Sequence, residues 1–320
     1  MHAAMSPRLL VLAAALLIGT APAYASSIRF LENRPIDYDF LDLPAVPGAF
    51  GQGEFSFELW VRPDAGFPVG STMRGTFDQL RNWSSADPEP YSSDGWWLAG
   101  NWLLDGHTRP RGYRPGDTRE GTFSLQFYGG GRLRWMFADT GEDMPRGMVH
   151  AVQAWPAEST PSLLDGQWHH VVAIRRWRAP EGATLELWID GRLIATREIP
   201  LRVDMRRYWS RLAHPDDPAE LGGWSFGAEV MTAWRYTFTQ YEDYKGGLDD
   251  VRFWGRALAP AEIAHLAEGR SPVDPQGALA HVRFDEGRGA IAADSLGSGV
   301  SIRLHNPQPE SWSQDNRPER

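Results

Sequence analysis

The stretch DGQWHHVVAIRRWRAPEGATLELWIDGR, residues Asp165–Arg192, decides the fold of this chain. Its first half, Trp168–Arg176, carries apolar residues on both parities, which indicates a β-strand that is buried on both faces near its middle. Its second half, Thr184–Ile189, alternates strictly, as a strand does when its two faces meet different surroundings. The pair Asp190-Gly191 suits a two-residue type I′ turn, because both positions of that turn need a positive φ. The stretch therefore predicts an antiparallel sheet in which Leu193–Ile199 is the returning strand.

Further strand signals occur on both sides of this hairpin. They lie at Ser27–Leu31, Glu54–Val61, Phe123–Tyr128, Arg132–Ala138, Met148–Ala154 and Trp224–Glu229. One helix is predicted over Pro260–Glu268, since proline suits the first helical turn, Ile263 and Leu266 are three residues apart, and Gly269 follows its end. The pattern predicts an all-β protein with one short helix toward the C-terminus.

Four motifs in order resemble the laminin G-like branch of the concanavalin A-like lectin/glucanase jelly rolls. They are FSFELWV at Phe55–Val61, WHHV at Trp168–Val171 with LWIDG at Leu187–Gly191, GLDDVRFW at Gly247–Trp254, and ALAPAEI at Ala257–Ile263. Together they cover residues 27–270. The resemblance implies a two-sheet antiparallel jelly-roll sandwich in which the short helix follows the third motif.

The N-terminal residues 1–25 are typical of an export signal. Arg8 is the positive residue, Leu9–Ile18 is the apolar core, and Ala23-Tyr24-Ala25 is a small-x-small cleavage site. The apolar run is too short to span a bilayer, so we expect no transmembrane anchor. The protein is expected to be exported, and the sequence leaves periplasm and extracellular medium open.

Residues 26–320 are expected to form a single laminin G-like domain, with the core motifs at 27–270. The remaining segment, 271–320, contains FDEGRG at Phe284–Gly289, which resembles the segment that opens a laminin G-like module. It is expected either to pair back beside the N-terminal strand or to begin a module that is cut short. We favour pairing, because too few residues follow for a second core.

Composition limits the classes of partner. The formal charge of −9 becomes −10 without Arg8, and Lys245 is the only lysine. Nucleic-acid binding needs a clustered cationic face, so no nucleic-acid partner is expected. The chain has no cysteine, and no disulfide can therefore stabilise the fold in an oxidising compartment.

Tryptophan is the residue type that points to a ligand, with fifteen in the chain. Sugar rings present apolar C–H faces edged by hydroxyl groups, and a flat indole offers a large contact area at low entropic cost. The loop Asn82–Arg114 interleaves tryptophans with polar residues. The candidate glycan-binding residues are Trp83, Trp96, Trp97, Trp102, Asn101, Asp105 and Arg109. The alternative is that most of these tryptophans pack beneath a long loop as a satellite core.

Acidic clusters suggest calcium, which takes carboxylate and carbonyl oxygens from irregular loops. The candidate ligands are Asp249, Asp250 and Asp243, with Glu242 and Asp216-Asp217 as further acidic positions. The resemblance implies calcium at the rim of the sandwich. Two alternatives remain, namely solvated acidic loops and, for Asp249, a role in capping the strand turn.

Catalytic patterns are weak. A glucanase site places two glutamates about a central aspartate on one strand, and the nearest match, Glu54–Glu58, has Ser56 at the centre. We interpret these glutamates as solvent-facing. His169 and His170 are adjacent on a strand and point to opposite faces, so they cannot chelate one ion together. The sequence favours secreted, non-catalytic carbohydrate recognition, with calcium as the candidate cofactor. The alternatives are an adhesive domain that binds a cell-surface protein and a glycoside hydrolase or polysaccharide lyase.

Overall fold

A computed structural model describes residues 26–30, 40–43, 53–65, 101–105, 122–128, 131–138, 149–153, 162–177, 182–199, 224–226, 244–305 and 307–314. In these ranges the strands are β1 (Ser27–Phe30), β2 (Phe40–Leu43), β3 (Phe55–Pro63), β4 (Asn101–Asp105), β5 (Thr122–Tyr128), β6 (Arg132–Ala138), β7 (Val149–Gln153), β8 (His169–Trp177), β9 (Ala183–Ile189), β10 (Arg192–Ile199), β11 (Trp224–Phe226), β12 (Gly246–Trp254), β13 (Ala278–Val282), β14 (Ile291–Ala293), β15 (Ser301–His305) and β16 (Trp312–Ser313). The helix α1 (Pro260–Ala267) and a 3₁₀ turn (Pro309–Ser311) complete them.

The strands form two antiparallel sheets of eight strands each. The first sheet has the order β10-β9-β8-β3-β12-β1-β16, with β13 also paired to β12, and the second has the order β14-β15-β2-β11-β4-β5-β6-β7. The predicted fold class, an all-β jelly-roll sandwich of two antiparallel sheets with one short helix, is confirmed. In the described residues, no helix is both long and apolar enough to cross a membrane.

The main core lies between the two sheets. Its buried side chains come from alternate positions of facing strands and include Phe57, Leu59, Val171, Leu187, Leu125, Leu133 and Trp135. A second apolar cluster lies on the opposite face of the first sheet, beneath α1, and consists of Val172, Ile174, Trp188, Trp254, Leu258, Ile263 and Leu266. The strand β8 contributes to both clusters, as its apolar residues on both parities predicted.

The hairpin between β9 and β10 has the predicted turn. Asp190 has a φ of 50° and Gly191 a φ of 74°, so both turn positions are left-handed. A Cβ atom at position 191 would lie 3.3 Å from the Cβ of Ala267 and 3.4 Å from the Cα of Ala264, both on α1. Gly191 therefore serves the turn and also lets the helix approach the hairpin closely.

Six strands, β2, β4 and β13 to β16, are absent from the sequence-based prediction, and several predicted strands differ at their ends by one or two residues. The helix ends one residue earlier than predicted. At its N-terminus Ala259 has no side-chain oxygen, and the Ala259 N–H instead donates to the carboxylate of Glu262 at 2.8 Å. The C-terminal segment returns to the first sheet, where β16 pairs with β1 and β13 with β12.

Candidate functional site

A buried chain of acidic and basic side chains crosses the outer face of the first sheet, the face that α1 partly covers. We call it the Glu58 network, and its members are Glu58, His170, Asp250, Arg252 and His281. Because Phe57 and Leu59 face the main core, Glu58 between them lies on the outer face. It is fully buried there, as is His170, and the side chains of Arg252 and Asp250 are almost as inaccessible.

Glu58 is held by three donors from two neighbouring strands. Arg252 Nη1 donates to its Oε1 at 2.6 Å, and Trp254 Nε1 donates to its Oε2 at 2.9 Å. His170 Nε2 lies 3.2 Å from the same Oε1. Arg252 Nη2 also donates to Asp250 Oδ2 at 2.9 Å, and Asp250 Oδ1 contacts His281 Nε2 on β13. The network therefore joins β8, β3, β12 and β13 side by side.

A β-bulge in β12 brings Asp250 into this network. In the register Asp249 lies opposite Trp60 and Arg252 opposite Glu58, so two residues of β12 face the single residue Leu59 of β3. Asp250 takes up the irregularity with a φ of 52°. The extra residue shifts the parity of β12, so that Arg252 lies on the outer face opposite Glu58. Asp250, within the bulge, accepts a hydrogen bond from Arg252.

The electrostatics of Glu58 follow from its partners. Burial alone would raise its pKa, but the charge of Arg252 and the hydrogen bond from His170 outweigh it, so the pKa of Glu58 lies below its ordinary value. Glu58 is thus a buried, charged, fully paired carboxylate. The interpretation of this glutamate as solvent-facing is wrong, because the strand β12 supplies a buried arginine directly opposite it.

A polar strip lies on the outer face of the second sheet. Its described members are Ser124 and Gln126 on β5 and Arg134 on β6. They alternate with the core residues Leu125, Phe127, Leu133 and Trp135. All three are buried, and an Arg134 amino group donates to the side-chain oxygen of Gln126. The Ser124 hydroxyl has no hydrogen-bond partner, so the strip has bonding capacity that the described residues leave unused.

Three of the candidate glycan-binding residues lie on β4, next to this strip. In the register Trp102 is opposite Gln126, Asp105 is opposite Ser124, and Asn101 is opposite Phe127. Trp102 and Asp105 thus occupy register positions of the polar strip, whereas Asn101 occupies the position of the core residue Phe127. The other candidates, Trp83, Trp96, Trp97 and Arg109, lie outside the described residues.

Sequence reasoning missed the polar strip itself. A signal was present, because Ser124 and Gln126 alternate with apolar residues in a short strand and Arg134 stands between two core residues. This alternation reports only that one parity is polar. It does not show that the parity is buried, and burial depends on parts of the chain distant in sequence.

The candidate calcium ligands are placed as follows. Asp250 uses both carboxylate oxygens for Arg252 and His281, and a cation at this position would lie among basic side chains. Asp249 is buried in β12 opposite Trp60, and Asp243 lies outside the described residues. Among the described residues, no group of three or more acidic or histidine side chains has an arrangement that could hold a metal ion. Calcium binding stays a prediction, and the environment of Asp250 does not suit it.

Comparison with protein families gives a match over half of the chain. The model described as the concanavalin A-like lectin/glucanases superfamily matches residues 104–264 of 320. This range runs from β4, through the polar strip and the strands β8, β9 and β10, to α1. It includes three of the four motifs that carried the resemblance, and the motif at Phe55–Val61 lies outside it.

Individual relatives are more distant. Human pentraxin-4 is 32% identical over 136 residues, which are 42% of this chain and 25% of pentraxin-4. A candidate carbohydrate-binding protein from Bacteroides ovatus is similar with a TM-score of 0.48 and 13% identity, over 89% of this chain and 58% of that chain. A heptameric SAP-like pentraxin from Limulus polyphemus is similar with a TM-score of 0.43 and 12% identity, over 89% and 98% of the two chains. The chain thus spans only about a quarter of pentraxin-4, and that protein's activity does not pass to it.

Proposed function

Because the chain belongs to the concanavalin A-like lectin/glucanase superfamily, we propose that it recognises a carbohydrate on the outer face of its second sheet. The polar strip of Ser124, Gln126 and Arg134 is the floor of this site. Trp102 and the tryptophans of the Asn82–Arg114 loop stack on sugar rings. Asp105 and Arg109 bond to the hydroxyl groups and fix the orientation of the ring.

The position of β4 is the observation that carries the proposal. A sugar site needs an aromatic surface with polar groups at its edge. Trp102 and Asp105 lie opposite Gln126 and Ser124 in the register, so aromatic, acidic, amide and hydroxyl residues are adjacent on two neighbouring strands. The buried Ser124 hydroxyl has unused bonding capacity, and a buried polar group of this kind is costly unless something bonds to it.

We propose recognition without catalysis. The nearest glutamate pair is Glu54 and Glu58, and these residues serve the first sheet. Glu58 is fully buried and bonded to Arg252 and Trp254, and Glu54 Oε1 accepts from the Trp177 N–H at 3.1 Å. A glycosidase needs two carboxylates on either side of an accessible sugar bond. In the described part of the first sheet, the carboxylates of both glutamates accept hydrogen bonds from neighbouring strands.

We also propose that the protein acts after export. The support is the sequence of residues 1–25, with its arginine, apolar core and cleavage site. Calcium remains an accompanying proposal that rests on Asp249 and Asp243, and it predicts that a chelator lowers the melting temperature. N-terminal sequencing of the exported protein tests the cleavage site, and an N-terminus other than Ser26 would contradict it.

A glycan-array screen followed by calorimetric titration of a bound glycan tests the main proposal. We expect Trp102→Ala to weaken binding about tenfold or more, which corresponds to about 1.4 kcal/mol. Trp168→Ala is the matched control, since Trp168 is a half-buried tryptophan of the first sheet that stacks with Arg62. We expect this control to leave binding within about twofold, or about 0.4 kcal/mol.

Other outcomes favour the alternatives. Equal losses in the two variants would place the site elsewhere and contradict the proposal. Degradation of the glycan during titration would indicate a hydrolase or lyase. If the folded protein binds no glycan, the result would favour the alternative hypothesis of an adhesive domain, in which the tryptophans contact a cell-surface protein.

A further inference from the structure

His169 lies between two carboxylates at the start of β8. Its Nδ1 is 2.8 Å from Asp190 Oδ2 on the β9–β10 turn, and its Nε2 is 3.0 Å from Asp165 Oδ1. The imidazole is 12% exposed, whereas each carboxylate side chain is 48% exposed. Its neighbour His170 contacts Glu58 instead. The two adjacent histidines therefore have separate partners.

The chemistry of imidazole makes this arrangement depend on one proton. A neutral imidazole has one N–H donor and one lone pair, and only the imidazolium form donates from both nitrogens. An ionised carboxylate accepts hydrogen bonds and donates none. Both contacts of His169 are therefore hydrogen bonds only when the ring is charged. When the ring is neutral, one nitrogen lone pair faces a carboxylate oxygen and that contact is repulsive.

The two carboxylates are not held equally. The Asp190 carboxylate also accepts a hydrogen bond from the backbone N–H of His170 at 2.9 Å. The backbone N–H of Asp190, in the tight turn, donates to the His170 carbonyl at 2.8 Å. Asp165 has one further bond, from the N–H of Gln167 two residues away, and this bond lies within its own turn. Loss of the proton therefore releases Asp165 and leaves Asp190 in place.

Asp165 belongs to a segment that connects the two sheets. This segment, Ser162–Gln167, precedes β8 of the first sheet. The Leu163 N–H donates to the carbonyl of Gly131, at the turn between β5 and β6 of the second sheet, at 3.0 Å. The Leu163 side chain is buried in the main core. The His169–Asp165 contact thus fixes this segment at one end, while Leu163 fixes it at the other.

We propose that His169 is a proton-dependent latch, which holds Ser162–Gln167 to the β9–β10 turn when charged and releases Asp165 when neutral. The latch goes beyond the proposed carbohydrate recognition and does not depend on it. In acidic surroundings His169 is charged, and Ser162–Gln167 is held to the β9–β10 turn. In alkaline surroundings it keeps the packing of Leu163 and Leu164 on the main core and loses its contact with the β9–β10 turn.

The electrostatic surroundings favour the charged form. Burial alone would lower the pKa of His169, but the hydrogen bonds and charges of Asp190 and Asp165 outweigh it and raise the pKa above its ordinary value. Other charged positions on adjoining elements are Arg62 on β3, which stacks on Trp168, and Arg192 after the turn. A raised pKa means that the latch stabilises fully below about pH 6.5 and is lost as the pH rises through the folded-state pKa.

A pH titration by NMR of the intact protein tests the latch, with the His169 ring signal and the Leu163 amide as reporters. We expect His169 to titrate above about pH 6.5. We expect the exchange protection of the Leu163 amide to fall several-fold from the acidic to the alkaline side of that transition. In Asp165→Asn the added amide can donate to a neutral ring, so the pKa falls and the change in protection disappears.

His169→Gln and His265→Gln complete the set. The first has no titrating ring, and we expect Leu163 protection to be independent of pH and as low as in the alkaline wild type. The second changes a half-buried histidine on α1 that contacts the Ser271 carbonyl, away from Asp165, and we expect wild-type behaviour. Titration of His169 at or below about pH 6.5, or constant Leu163 protection across its transition, would overturn the proposal.

Discussion

The outer faces of the two sheets use buried polar side chains in different ways. On the first sheet, α1 covers an apolar cluster, and beside it the Glu58 network pairs each carboxylate with basic or N–H donors. On the second sheet, the polar strip has a cation and an amide bonded to each other and a serine hydroxyl with no partner. Charges on the first face hold strands together. On the second face, the Ser124 hydroxyl keeps unused hydrogen-bonding capacity.

Both sheets alternate core residues with residues on the outer face, but the buried polar residues of the two outer faces are bonded to different extents. A buried ion pair is most stable when its remaining oxygens and protons are also bonded. Both oxygens of Glu58 are bonded, through three donors, although the Nε–H of Arg252 has no partner among the described residues. A ligand site needs the opposite, namely groups that bond fully only when the ligand is present. The difference supports the proposal that the second sheet recognises a carbohydrate, while the Glu58 network holds strands of the first sheet together.

Removal of Glu58 is the strongest way to break the comparison. We expect Glu58→Ala to lower the free energy of unfolding by about 3–5 kcal/mol, because Arg252 stays buried without its main partner. Chemical denaturation measures the loss. The control is Glu310→Ala, at an exposed glutamate of the 3₁₀ turn, for which we expect a change within about 0.5 kcal/mol. Equal stability of the two variants would mean that the network does not hold the sheet.

Acid should weaken the first sheet through the same residue. The pKa of Glu58 is below its ordinary value of 4.5, so its stabilisation is complete above that pH and is lost as the pH falls through the folded-state pKa. We expect the melting temperature of the wild type to fall steadily below about pH 4.5, and Glu58→Gln to show a flatter profile in this range. Parallel profiles for the two proteins would assign the acid sensitivity to other carboxylates.

Local patterns predicted more of the fold than of the site. The Asp190-Gly191 turn and the two-sided burial of β8 follow from residues close in sequence, and the structure has both. The pairing of Glu58 with Arg252 joins residues 194 positions apart and depends on the register of β12. A hint existed, since Leu248 and Val251 are both core residues but are three apart, which breaks the strand period and indicates a bulge. Which strand the bulge would face was not readable from sequence.

The smallest expected effect gives the sharpest comparison, because it uses the same substitution on both faces. Ser56 and Ser124 are fully buried serines on the outer faces of the first and second sheets. The Ser56 hydroxyl donates to the Arg256 carbonyl and accepts from the Leu258 N–H, both at 2.9 Å, whereas the Ser124 hydroxyl has no partner. We expect Ser56→Ala to destabilise by about 1–3 kcal/mol, since it leaves a buried N–H and a carbonyl unbonded.

Ser124→Ala removes an unsatisfied buried group and leaves no partner behind. We expect the free energy of unfolding of the ligand-free protein to stay the same or to rise by up to about 1 kcal/mol, measured by denaturation beside Ser56→Ala. If the two variants lose the same stability, the Ser124 hydroxyl is already bonded in the free protein. The polar strip would then belong with the Glu58 network as a cohesive element, and the contrast on which the second-sheet site rests would be gone. If only Ser56→Ala is destabilised, the hydroxyl is held for a partner that the free protein does not supply.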